Sequence, residues 1–164
     1  MPASPLRVGG LSRADLTQPL EDAGVELNTS AETLLSDPAF DRRHNETITI
    51  VQRRVVELGL AQGARLAQIL EAAKVHGLLP CPSITGPYLR LALSDQTSAP
   101  DSGLSNGHAP TGSITVASER LRAVLGYPRG FYLRVVDGQR WLRGYRCSED
   151  HPWSADDMFA FRLP

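Results

Sequence analysis

The residues most suited to chemistry are gathered in one stretch, GFYLRVVDGQRWLRGYRC at 130–147, which carries Tyr132, Arg134, Trp141, Arg143 and Tyr145 around an Asp-Gly step. A guanidinium offers a planar fork of N–H donors that matches a carboxylate or a phosphate. Trp and Tyr rings offer faces on which a guanidinium or a base can lie. Such a set recognises an anion or a partner surface. It brings no general base, nucleophile or metal ligand, so it points to binding without catalysis.

Other reactive residues are weaker candidates. Cys147 and His151 are spaced so that both could reach one metal, with His108, Cys81 or Asp150 to complete it. Two ligands do not make a site, because structural zinc needs four, and an ordinary loop with a free thiol explains the pair. We therefore expect neither a metal nor a cofactor. His44 lies between Arg43 and Asn45. With Arg42, Arg53 and Arg54 nearby, it could serve as the base of an RNA-cleaving site whose arginines stabilise phosphoryl charge. A solvated turn ahead of a strand accounts for the same residues. His76 falls in the last turn of a helix, where an imidazole favours the helix dipole. GLAQGARL lacks the lysine and the spacing of a phosphate loop. Ser113 and Ser118 have no nucleophile elbow around them.

Composition limits what the molecule can be. Among 164 residues, 17 Lys and Arg face 18 Asp and Glu, a formal charge of −1, so nucleic acid or an anionic membrane would need a local patch rather than overall attraction. MPASPLRVGG has no signal-like apolar run, and no segment approaches the ~20 apolar residues of a membrane span. Two cysteines, Cys81 and Cys147, are too few for a disulfide framework and suit a reducing compartment as free thiols. The expectation is one cytoplasmic domain spanning 1–164 without membrane association, with a disordered N-terminus over about 1–10.

The elements that would position the arginines and aromatics follow from pattern. Ser12 is placed to cap a helix carrying Leu16, Leu20 and Ala23 and stopping at Gly24, with Pro19 either kinking it or delaying its start to about Gln18. Asn28 or Thr29 caps a second helix that ends at Asp37-Pro38, and Thr29 with Glu32 has capping-box spacing. TITIVQRRV predicts a strand over about 47–55. Leu66, Ile69, Leu70 and Ala73 mark the clearest helix, stopped by Gly77. In YLRLAL, Leu89, Leu91 and Leu93 alternate as in a strand. Residues of about 95–111 are Ser-, Pro-, Gly- and Asn-rich and read as a mobile loop. SITVAS then reads as a strand, SERLRAVLGY as a helical turn or two capped by Ser118, and MFAFRL as a last strand.

Asp137-Gly138 between two β-rich runs predicts a two-residue hairpin, since a type I′ turn needs positive φ at both central positions. That turn pairs Val136 with Gln139, Arg134 with Trp141, Tyr132 with Arg143 and Gly130 with Tyr145. Side chains alternate, so Phe131, Leu133, Val135 and Leu142 share one face. Tyr132, Arg134, Trp141, Arg143 and Tyr145 share the other. Helices come early and strands late, and hairpin strands are antiparallel. The expected class is thus α+β, with N-terminal helices packed on a mainly antiparallel sheet.

With PCP followed by GP-YLRL, GSITVASERL, GFYLRVVDGQRWLRGY and HPWSADDMFAF, the chain from about Leu11 to Phe161 resembles a family of short bacterial proteins. The resemblance implies one intact domain and carries no activity, cofactor or catalytic residue. Together these readings favour a small cytoplasmic bacterial binding module that holds a protein partner or a small anionic ligand on the Tyr132–Tyr145 face. The alternative is a nucleic-acid-associated protein with RNA-cleaving chemistry at His44.

Overall fold

The computed structural model describes residues 3–41, 44–94, 96, 98, 99 and 112–164. Strands β1 (Ser4–Gly9), β2 (Glu26–Leu27), β3 (Asn45–Arg54), β4 (Ser98–Ala99), β5 (Ile114–Val116), β6 (Gly130–Val136), β7 (Gln139–Tyr145) and β8 (Met158–Arg162) join in one sheet. Helices α1 (Arg13–Asp22), α2 (Thr29–Leu35), α3 (Leu66–Val75) and α4 (Thr85–Ala92) complete an α+β fold. No helix among the described residues is long and apolar enough to cross a membrane.

The strand order is β1-β3-β8-β5-β6-β7-β2, with β4 also beside β6. Four ladders are antiparallel, but β5–β8, β2–β7 and β4–β6 are parallel. The sheet is therefore mixed, which corrects the expectation of a mainly antiparallel one. A tight turn declares only its own two strands. The C-terminal β8 instead enters between β3 and β5, and such long-range pairings leave no local signal.

Opposite faces of this sheet support separate cores. On one, Leu16 of α1, Leu34 of α2 and Leu89 of α4 pack with Ile48, Ile50, Phe131, Leu133 and Leu142. On the other, Ile69 and Ala73 of α3 pack with Val51, Trp153, Phe159 and Phe161. Val51 follows Ile50, and Ala160 lies between Phe159 and Phe161, so the alternation of strand side chains feeds both cores at once.

Several expected elements differ. Residues 4–9 form a paired strand rather than a disordered terminus, because alternating Leu6 and Val8 are buried opposite β3. α1 starts at Arg13, with Ser12 Oγ accepting from the Asp15 N–H, and passes through Pro19. Asn28 caps α2. YLRLAL belongs to α4 rather than to a strand. Pro87 falls in the first helical turn, where an N–H has no intrahelical partner to lose, and the helix is buried on almost every side. The stretch after Ser118 is not helical: Ser118 bridges to Cys81, while Arg122 and Tyr127 reach across to the Asp37 carboxylate. Most of the expected mobile loop lies outside the described residues. Of those described, Gln96 is bonded to Arg90, Gly112 and Leu133, and Ser98–Ala99 pairs with β6, so this part is anchored.

Candidate functional site

The hairpin forms as its turn dictates. Asp137 and Gly138 have φ of 48° and 84°, and the register pairs Val136 with Gln139, Arg134 with Trp141, Tyr132 with Arg143 and Gly130 with Tyr145. Phe131, Leu133 and Leu142 enter the helix-covered core. Gly144 on the same face lets α2 approach, since a Cβ there would lie 2.7 Å from the Ser30 carbonyl carbon. Asn28 ties the two together: its Oδ1 accepts from the Gly144 N–H at 2.9 Å and its Nδ2 donates to the Gly144 carbonyl at 3.0 Å.

The other face is graded rather than uniformly open. Arg134 is fully buried. Tyr145 leans into the second core, its ring 5.6 Å from that of Trp153 and 6.4 Å from that of Tyr132, and burial pushes its phenol pKa up. Tyr132, Trp141 and Arg143 are half-buried, with the Arg143 guanidinium 4.2 Å from the Trp141 ring centroid. No carboxylate among the described residues pairs with Arg140 or Arg143.

From beneath, α4 stiffens this hairpin through Arg90, which is fully buried. Its Nη1 donates to Gln96 Oε1 at 2.7 Å and to the carbonyls of Arg134 and Trp141 at 3.3 Å, and its Nη2 donates to the Leu93 carbonyl at 2.7 Å. Burial lowers its pKa to about 10, which leaves it charged at neutral pH.

At the open end of the hairpin sits a second cationic group that sequence inspection did not single out. Arg129 precedes β6, donates its backbone N–H to the Tyr145 carbonyl at 2.7 Å and is only 8% exposed. Its Nη1 is buried without a hydrogen-bond acceptor among the described residues. It borders a cavity of about 110 Å³ shared with Arg120, Cys147, Ser148 and Glu149 and walled by Leu66 and Leu70 of α3. The same Arg120, Cys147, Ser148 and Glu149 continue into an outer groove of about 690 Å³ beside the exposed Val124 and Leu125. Burial raises the Cys147 pKa against the pull of Arg129 and Arg120, so the thiol stays protonated near neutral pH. An arginine one residue before a glycine-led strand gives no sequence sign that its guanidinium will lack an acceptor.

The remaining candidates are dispersed. His44 is exposed at the start of β3, which is four strand spacings from β7, about 19 Å along the sheet. Arg54 is exposed, Arg53 donates to the Gln52 carbonyl, and Arg42 and Arg43 lie outside the described residues, as does His108. His151 packs edge-on against Trp153, and Asp150 is paired with Arg65. Cys81 is buried with its pKa pushed up to about 12. Among the described residues no three His, Cys, Asp or Glu side chains converge. His76 is the C-cap of α3, its Nδ1 2.9 Å from the Ala72 carbonyl, a helix-end role. A larger groove of about 720 Å³ between α1 and α2 is floored by Leu16, Leu20 and Leu35 and closed at one side by the Arg13–Asp41 ion pair.

Comparison with protein-family models, curated proteins and solved structures returns no match.

Proposed function

We propose that this chain is a small cytoplasmic bacterial binding module without catalytic activity, which holds an anionic ligand, or the acidic group of a protein partner, on the outer face of the β6–β7 hairpin. The observation that carries this reading is the Arg143 guanidinium stacked on Trp141, both half-buried and without a described carboxylate against them. Stacking orients the guanidinium; its Nε is buried, and the terminal Nη groups are left to donate in the plane to a carboxylate or phosphate. Arg90 and the Asp-Gly turn hold the two strands, so the face is set before a ligand arrives. Arg134 and Tyr145 act here as supports rather than as contacts.

Trp153→Phe leaves Trp141 as the only indole, which makes its fluorescence a local reporter. Titration with citrate, a nucleoside monophosphate and an acidic peptide should produce a saturable change with at least one of them. Arg143→Met should weaken it at least tenfold. No saturable change with any probe defeats the reading. A response confined to RNA that falls steeply with salt would move the function to nucleic-acid association.

A further inference from the structure

The Arg129 cavity carries an inference independent of the hairpin face. We propose that it is a binding site for a single phosphoryl group, free or as a monoester, received by Arg129 at its floor and by Arg120 at its mouth.

The argument starts from the cost of burial. A guanidinium removed from water must regain acceptors, and an arginine left without them destabilises the fold. Two other buried charges are provided for within the fold: Arg90 donates to four acceptors, and the Asp37 carboxylate accepts from the Ala39 N–H, Arg122 and Tyr127. Arg129 is buried to more than nine-tenths, and among the described residues its Nη1 has no acceptor. Arg129 lines the cavity, so a group that enters there can supply its guanidinium with an acceptor, and the space has room for several waters or one small oxyanion.

Charge defines the class. Two arginines and one carboxylate line the cavity. Glu149 lies 3.4 Å from Arg120, and its side chain is 83% exposed, so it can swing into solvent and release Arg120 to an incoming anion. Arg120 is 29% exposed, consistent with a place at the mouth. Cys147 and Ser148 add hydroxyl and thiol donors without a further negative charge. A tetrahedral dianion uses two guanidinium groups better than a halide does, because each fork binds two oxygens. The adjoining groove gives the rest of a monoester somewhere to lie.

The experiment follows thermal unfolding and Cys147 alkylation in sodium phosphate and in sodium chloride of matched ionic strength. Inorganic phosphate should raise the wild-type midpoint saturably and slow Cys147 alkylation severalfold, and chloride should do neither. The buried Cys81 serves as the unlabelled internal control. Arg129→Met, which keeps the apolar stem, should weaken the phosphate effect at least tenfold, whereas Arg143→Met should preserve it and so separates this site from the hairpin face. Phenyl phosphate acting at lower concentration than phosphate assigns the site to monoesters, and equal potency assigns it to the free ion. If Arg129→Met does not fold, phosphate protection of wild-type Cys147 decides the matter alone. Absence of a saturable phosphate effect in the wild type, or its persistence in a folded Arg129→Met, overturns the proposal.

Discussion

Arg90 and Arg129 are both withdrawn from water, yet they are treated in opposite ways. Arg90 lies between α4 and the hairpin with acceptors from Gln96, Leu93, Arg134 and Trp141, and among the described residues only its Nε lacks one. Arg129 sits at the open end of the same hairpin, against a cavity, with Nη1 unpaired among the described residues. One arginine completes a network inside the fold. The other is buried with its Nη1 given no acceptor by the described residues. A buried charge satisfied from within is a structural device, and its removal should be felt in stability. A buried charge unsatisfied from within costs stability, and its removal should be felt in binding.

The largest effect should come from Arg90→Met. It strands the Arg134, Trp141 and Leu93 carbonyls and the Gln96 side chain, and should cost about 3 kcal/mol or more in urea unfolding, at about 1–3 kcal/mol for each buried acceptor left unsatisfied. A loss below ~1 kcal/mol would erase the contrast with Arg129. Next, Gly144→Ala pushes a methyl against the backbone of Ser30 and Ala31, which cannot swing aside as a side chain would. It should cost about 1–3 kcal/mol by forcing α2 away from the hairpin, and circular dichroism melting would register it.

Asp37 extends the comparison to an acid. Burial acts to raise its pKa, but the Ala39 N–H, Arg122 and Tyr127 outweigh burial and hold it below the usual carboxylate value of 3.8. A depressed folded pKa contributes stability that is present above the unfolded value and lost as pH falls through the folded one. The unfolding free energy should therefore drop more steeply below about pH 4 in the wild type than in Asp37→Asn. Equal slopes would show that the cross-link from Asp37 to the 118–129 segment adds nothing. The smallest stability change is expected for Arg129→Met, within about 1 kcal/mol of the wild type or above it in phosphate-free buffer, because a desolvated charge is removed.

How much of this was legible depended on whether the cause was local. The hairpin was readable to the residue because Asp137-Gly138 sets both turn and register by itself. The caps at Ser12 and Asn28 were readable for the same reason. YLRLAL misled because alternating leucines also fit a helix buried on nearly every side, and β1 was missed because Leu6 and Val8 acquire a partner only when β3 arrives. The candidate face was legible as a face, but not its gradient: nothing in the order of residues tells that Arg134 is sealed while Trp141 and Arg143 remain half-open. Arg129 was not legible at all. Its significance is a hydrogen bond that is not made, and that is a property of the assembled cavity.

The most direct test is a paired one: urea unfolding of wild type, Arg90→Met and Arg129→Met, each with and without inorganic phosphate at matched ionic strength. Arg90→Met should be strongly destabilised in both buffers. Arg129→Met should match the wild type without phosphate, and only chains retaining Arg129 should gain stability when phosphate is added. Arg129→Met as unstable as Arg90→Met in phosphate-free buffer would contradict this contrast, because the two buried arginines would then be serving the same structural purpose.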